Sequence, residues 1–295
     1  VENGHGGSEY KTKQRTMISI LIPARQEEYL NDTIEDVFAH AETEVEVLVG
    51  LDGWTTPLGF PDKNIRVSFS PKPIGQRAMQ NTLARMARGN YVMKLDAHCS
   101  LQQGFDRILL EHMDENTVAT GCLHRLHTFD WVDEKGRRTY QDQKSQIKRE
   151  KVWKILPQPF ETSFVFGTNC ISVAGNTRNF PRETMSLQGS LFCVSRTKYW
   201  HWNLCDEDWG SWGAQGFEIA VKTWFAGGRV ITAPFFYGHW FRTKKEDVPY
   251  EREEPSTAYE KARELAKHPK MQWLVKKFGY PLDWKSNENS KRTPA

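Results

Sequence analysis

Asp96 and His98 stand two residues apart at the end of an apolar run, in the segment YVMKLDAHC at 91–99. On an extended backbone, side chains two apart point the same way, so a carboxylate and an imidazole can share one divalent cation. A mixed oxygen and nitrogen donor set suits Mn²⁺ or another borderline metal better than Mg²⁺, which prefers oxygen alone. A pair this short also arises as two solvated loop residues, and spacing alone leaves both readings open. Three consecutive acids, Asp206, Glu207 and Asp208, precede Trp209, either as a solvated loop or as a source of carboxylate chemistry. Six of the eleven tryptophans lie between 200 and 240. Their flat faces can stack on sugars or unpaired bases, or simply fill a core.

The surrounding pattern says which elements would carry these groups. Residues 18–23, 45–51, 65–69 and 91–95 read as short buried strands. Between them, Leu30, Ile34, Val37 and Phe38, then Met79, Leu83 and Met86, then Phe105, Ile108, Leu109 and Met113, recur at helical spacing. Strand and helix alternate, which predicts an α/β fold with a mostly parallel sheet and helices on both faces. Ligands of such sheets bind beyond the carboxyl ends of the strands. The polar residues there are Arg25 to Glu28, Asp52 to Thr55 and Asp96 to His98. The alternation weakens after about residue 124 and resumes with a strand at 191–195, a helix at about 215–225 and a strand at 230–233.

Composition excludes several classes. The chain has 295 residues, 38% of them hydrophobic, and 21 glycines, an apolar content ordinary for a globular protein. Its apolar runs fall far short of the roughly 20 residues needed to cross a bilayer. A net charge of +3, from 40 basic and 37 acidic residues, does not mark a nucleic-acid binder by total charge. Residues 135–154 do hold eight Lys or Arg against two acids, a local basic stretch. The five cysteines are odd in number, dispersed and free of C-x-x-C, which suggests reduced thiols and a cytoplasmic location rather than a disulfide framework or zinc ribbon.

Three blocks resemble the GT-A fold glycosyltransferases of family 2, and more closely the catalytic domain of the polypeptide N-acetylgalactosaminyltransferases. They are SILIPARQEE at 19–28, GNYVMKLDAHC at 89–99, and a long third block. That block runs from SLQGSLFCVSRTKYW at 186–200 through WGAQGFEIAVKTWFAGGRV at 212–230 to GHWFR at 238–242. Short phage glycosyltransferases are similar. The resemblance implies a Rossmann-like nucleotide-binding half joined to an acceptor half. It also implies a metal held by Asp96, His98 and His239 that bridges the diphosphate of a sugar nucleotide. Pro23, Arg25, Glu27, Asp52, Gly75, Arg77 and Asp96 would line the donor, with Asp52 near the base or ribose and Arg77 near the diphosphate. Trp212, Gln215 and Trp240 would face the sugars. One departure stands at the catalytic helix: where the inverting relatives carry Glu-Asp, and the acetylgalactosaminyltransferases Glu-Asn, this chain has Gln215 and Gly216. Glu218 matches. Glu218 or one of the acids at 206–208, Asp208 first among them, would then be the base, or the reaction retains configuration.

The expected organisation is a disordered leader at 1–16, a GT-A domain at 17–243 with halves at 17–124 and 125–243, and a charged appendage at 244–295. The implied function is Mn²⁺-dependent transfer from a UDP-sugar to a hydroxyl. A hydroxymethylated pyrimidine of phage DNA in the host cytoplasm, held through residues 135–154, a polypeptide and a glycan are the open acceptors. A sugar-nucleotide or carbohydrate binding module without catalysis is the alternative from another class.

Overall fold

A computed structural model describes residues 16–60, 63–127, 154–159, 162–166, 169–173, 181–242, 248–251 and 253–278. The leader up to residue 15 and the basic stretch, apart from the backbone of Lys154, lie outside these residues. In the first half, β1 (Ile18–Ala24), α1 (Leu30–His40), β2 (Val45–Asp52), β3 (Ile65–Ser70), α2 (Gln76–Met86) and β4 (Tyr91–Leu95) follow one another. Next come β5 (Cys99–Leu101), α3 (Phe105–His112), β6 (Thr117–His127), β7 (Lys154–Pro159), β8 (Thr162–Phe166) and β9 (Asn169–Val173). The chain continues with β10 (Arg182–Glu183), β11 (Leu191–Ser195), α4 (Arg196–His201), a 3-10 turn (Glu207–Trp209), α5 (Gln215–Phe225) and β12 (Arg229–His239). Two further helices, α6 (Ser256–Ala266) and α7 (Lys270–Lys277), end the described chain.

The main sheet runs in the order β10-β12-β6-β11-β4-β1-β2-β3. Strands β4, β1, β2 and β3 are parallel, as are β6 and β12. Strand β11 is antiparallel to both of its neighbours, β4 and β6, and it joins the two expected halves into one sheet. Strands β8 and β9 form a separate hairpin.

Burial explains the apolar runs. Every residue of β2 is buried, as expected of a parallel strand covered on both faces. Its alternation still sorts the side chains: Val47, Val49 and Leu51 join the layer of Ile34, Val37 and Phe105, while Leu48 joins that of Leu83, Phe217 and Ile219. In β1, Ile18, Ile20 and Ile22 face the first layer and Leu21 the second. The expected parallel arrangement holds for β4, β1, β2, β3, β6 and β12, which all run the same way, while β11 and the shorter β5, β7 and β10 pair antiparallel to them.

Two expectations change. Strand β12 is much longer than 230–233. Its register with β6 shifts between Thr232 and Phe236, around Pro234, which has no backbone N–H for the ladder, and the strand then continues to His239. The tail is no appendage at its helices either. Ala258, Ala262 and Ala266 of α6 and Met271, Leu274 and Val275 of α7 are buried in the same layer as α5. The tail's charge count hides this because the apolar stripe is built partly from alanine. Among the described residues, no helix is long and apolar enough to cross a membrane.

Candidate metal and nucleotide site

Asp96, His98 and His239 meet at the carboxyl ends of β4 and β12. The route differs from the one the spacing suggests. Strand β4 stops at Leu95, and Ala97 and His98 form a turn before β5, so an extended backbone does not align the pair. Convergence comes instead from β5, which pairs antiparallel with β12 and sets Cys99 opposite His239. The Trp240 N–H donates to the His98 carbonyl at 3.1 Å, and the Asp96 N–H donates to the Ser190 carbonyl at 2.9 Å.

The ligand atoms converge closely. His239 Nε2 lies 3.1 Å from Asp96 Oδ2 and 3.1 Å from His98 Nε2, and one atom of each residue lies within 4.8 Å of the others. Ligand bonds of about 2.1 Å in octahedral geometry place adjacent donors about 3 Å apart, so the two closest separations fit one six-coordinate cation. Burial pushes the His239 imidazole down to about 4, against the pull of Asp96, which leaves its nitrogens neutral and able to ligate at pH 7. Burial opposes the charge of Asp96, yet Lys94 and the imidazoles hold its carboxyl far below the usual range.

A second layer of groups orients these three. Glu27 Oε2 lies 3.1 Å from His98 Nδ1 and accepts from Arg242 Nη2. A carboxylate behind a ligating imidazole fixes its tautomer and turns the other nitrogen to the metal. Lys94, buried in β4, donates to Asp96 and to the Gly189 carbonyl, the latter at 2.6 Å. Gln76 Nε2 donates to Asp96 Oδ1 at 3.2 Å. Trp240 meets Tyr29 edge to face at 5.1 Å and His98 at 6.0 Å, and Phe241 meets His239 at 4.4 Å. Trp240 thus walls the His98 ring. Lys94 and Gln76 escape a motif search, although a lysine inside the apolar YVMKL strand is a readable signal of a buried partner.

At the neighbouring strand end, Asp52 is buried and its carboxylate is fully used. It accepts from Arg25 Nη2 at 2.7 Å, from the Ile74 N–H at 2.6 Å and from the Gly75 N–H at 3.1 Å. Gly75 has φ +92°, and a Cβ there would come within 2.6 Å of Ser211 Cβ, so glycine is required for this turn into α2. Pro23 lies one strand over, paired with Gly50 in the β1–β2 register. Asp52 therefore orders the turn and Arg25, beside whatever contact it makes with a ligand.

Arg77 and Glu218 meet in the interior. Arg77 is 1% exposed and Glu218 not at all. The guanidinium donates to Glu218 Oε2 at 3.0 and 3.1 Å, to the Gly210 carbonyl at 3.2 Å and to the Gly213 carbonyl at 2.5 Å. Glu218 Oε1 accepts from the Asp206 N–H at 2.9 Å and from Lys222 Nζ at 2.8 Å. Burial pushes the Glu218 carboxyl above the usual range, against Arg77 and Lys222. A base must reach the hydroxyl it deprotonates, and a phosphate partner needs free guanidinium donors. The structure leaves neither residue open in that way.

The remaining residues of this region divide. Gln215 is buried, donating to Gln80 Oε1 at 2.8 Å and to Cys205 Sγ at 3.3 Å. A Cβ on Gly216 would strike the Leu187 carbonyl and lie 3.0 Å from the Gly189 nitrogen, so an aspartate cannot occupy that position without moving the backbone. Trp212 is half-buried, its indole N–H donating to the Glu253 carbonyl at 2.5 Å. Of the three acids at 206–208, Asp206 is bonded to the Asp208 N–H and Lys222, and Glu207 to Asn81. Asp208 is exposed, and among the described residues its carboxylate carries no bond.

Comparison with known proteins agrees on the family and the fold. Residues 19–173 match the profile of Glycosyl transferase family 2. The chain is 25% identical over 240 residues to Putative polypeptide N-acetylgalactosaminyltransferase 13 of Drosophila melanogaster, covering 78% of this chain and 39% of that one. It is 27% identical over 197 residues to Polypeptide N-acetylgalactosaminyltransferase 10 of Homo sapiens, covering 65% and 29%. It thus spans well under half the length of these relatives. The crystal structure of GalNAc-T7 with UDP, GalNAc and Mn²⁺ aligns with TM-score 0.65 at 17% identity over 85% of this chain and 48% of that one. The structure of S. aureus TarS 1–349 in complex with UDP-GlcNAc aligns with TM-score 0.53 at 13% identity over 88% and 66%. Both show the same GT-A architecture.

Proposed function

The chain belongs to glycosyl transferase family 2, and from that membership we propose that it moves a sugar from a UDP-sugar to an acceptor hydroxyl with the help of a divalent metal, Mn²⁺ first. The observation that carries this reading is the meeting of Asp96, His98 and His239, with Glu27 behind the His98 ring. The solved neighbours named above hold UDP with Mn²⁺, or UDP-GlcNAc. A dication held by these three residues supplies Lewis-acid stabilisation of the charge that grows on a departing nucleoside diphosphate.

The chain's own residues supply the rest. Glu27 and Arg242 hold His98 so that Nε2 faces the cluster. Lys94 and Gln76 fix Asp96 without occupying Oδ2, which is left for the metal. Asp52 and Arg25 shape the strand end where the nucleotide lies. Arg77 and Glu218 act as positioning residues, tying α2 to the 206–214 loop that carries Asp208 and Trp212. Asp208 takes the role of base in an inverting transfer, because Glu218 is spent and position 216 is closed to a side chain. Trp212 and Trp240 border the sugar side. The acceptor is a polypeptide or glycan hydroxyl. The relatives named above speak of polypeptides, and none of them speaks of DNA.

Closure of position 216 is also the observation that favours a binding module without catalysis. One assay separates the two readings: UDP release from a panel of UDP-sugars with Mn²⁺, with and without peptides and glycans. Turnover supports transfer, whereas tight UDP-sugar binding with no UDP release under any condition leaves the binding module. Asp208→Asn should cut turnover by 10²-fold or more if Asp208 is the base, with the product anomer read by NMR.

A further inference from the structure

Two stretches of this chain contain no acidic residue, 63–95 and 184–205, and the antiparallel β4–β11 pair lays them side by side. Tyr91 at the start of β4 is paired with Ser195 at the end of β11. The Arg196 N–H donates to the Asn90 carbonyl at 2.9 Å, and Arg196 Nη1 donates to the Ala87 carbonyl at 2.6 Å. Arg85 and Arg88 at the end of α2 therefore share a surface with Arg196 and Lys198 of α4. Arg85, Arg88 and Arg196 are exposed and Lys198 is half-buried, and among the described residues none of the four side chains forms an ion pair with a carboxylate, although the Arg88 backbone N–H donates to the buried Glu46 at 2.6 Å. Trp200 of α4 is 40% exposed, with the Arg85 guanidinium 5.3 Å from its ring centroid. Lys198 sits over the neighbouring Trp202 at 5.4 Å.

We propose that this surface docks a single-stranded nucleic acid, with Arg85, Arg88, Arg196 and Lys198 on its phosphates and a base stacked on Trp200. Unpaired cations beside an exposed indole are the two components of such sites, since backbone charge supplies the attraction and every base has a flat face to stack. A bilayer surface would need more apolar area than one indole offers. The surface lies at the opposite end of β4 from Asp96, about 16 Å away at about 3.3 Å per residue, so the strand is docked outside the transfer site. The inference stands independently of the proposed activity.

Fluorescence anisotropy of a labelled oligothymidine with the full chain, between 50 and 200 mM salt, tests it. Each phosphate contact adds about 0.7 to the slope of log affinity against log salt for a single strand, so four contacts predict a loss of about 50-fold over that range. Arg85→Gln with Arg88→Gln should lower the slope by about 1.4. Trp200→Ala should leave the slope alone and weaken binding by roughly 5- to 150-fold, the range of stacking one base. Inorganic polyphosphate should bind without responding to Trp200→Ala. Absence of binding at 50 mM salt would overturn the proposal, as would a slope unchanged in the double variant, which would move the contact elsewhere on the chain. Equal loss-free binding of both polymers by Trp200→Ala would reduce the surface to a general polyanion site. Capture by phosphatidylserine vesicles without oligonucleotide binding would assign it to a membrane.

Discussion

Glu27 touches His98 rather than the metal position, so Glu27→Ala should lower Mn²⁺ affinity by about 10- to 100-fold, the usual cost of removing the group behind a ligating histidine; metal titration by calorimetry reads it. His239 has a pKa near 4 in the fold against an unperturbed 6.5. Between those values the unfolded chain binds the proton and the folded chain does not, so stability is lost as pH falls from about 6.5 to 4. The loss should approach about 3 kcal/mol in the metal-free protein, and urea unfolding at pH 7 and 4.5 should show a smaller loss in His239→Gln. Asp52→Ala would strip the partner from two backbone N–H groups and Arg25, so it should lower stability by about 2 kcal/mol or more as well as UDP affinity; an unchanged melting temperature would contradict that role. The D-x-H pair and the late histidine were legible as residues. Their supporting shell was legible only in part: Glu27 stood out as a donor-side residue and Lys94 as a charge inside an apolar strand, but their roles behind His98 and Asp96, and those of Gln76 and Arg242, depend on segments that meet only in three dimensions.

At the scale of elements, α2 is the hub. Its N-terminus receives Asp52 through Ile74 and Gly75, reaches Asp96 through Gln76 and grips the 206–214 loop through Arg77. Gln80 and Asn81 extend the contact to Gln215 and Glu207. A structural ion pair of this kind predicts that Glu218→Ala, which strands the buried Arg77 charge, costs about 3 to 5 kcal/mol, with thermal unfolding reading it directly. A base open to the acceptor would instead lose rate with little change in stability. Helical periodicity placed α2 and α5 correctly, yet Glu218 and Arg77 read as site residues because motif position does not report burial. Gly216 shows the same limit: the missing aspartate is visible in the sequence, but the reason, a Leu187 carbonyl pressed against the helix start, is not.

The described residues build one ten-stranded sheet with helices packed on it, beside the separate β8–β9 hairpin, and its parallel half follows from alternation of strands and helices along the first hundred residues. The antiparallel β11, the register shift in β12 and the burial of α6 and α7 were harder to read, since each depends on pairing across roughly 75 to 115 residues or on faces built partly from alanine. Leu274→Ala should cost about 2 to 5 kcal/mol, which an appendage could not show. The fold brings Asp96, His98 and His239 together, and the proposed function has them hold the cation used in UDP-sugar turnover. The most direct measurement is UDP release as a function of Mn²⁺ for the native chain and for His239→Ala. Turnover should vanish in excess EDTA and return on adding Mn²⁺, and the variant's Mn²⁺ dependence should move to at least tenfold higher concentration. Full activity in EDTA, or an identical Mn²⁺ dependence in the variant, would contradict it.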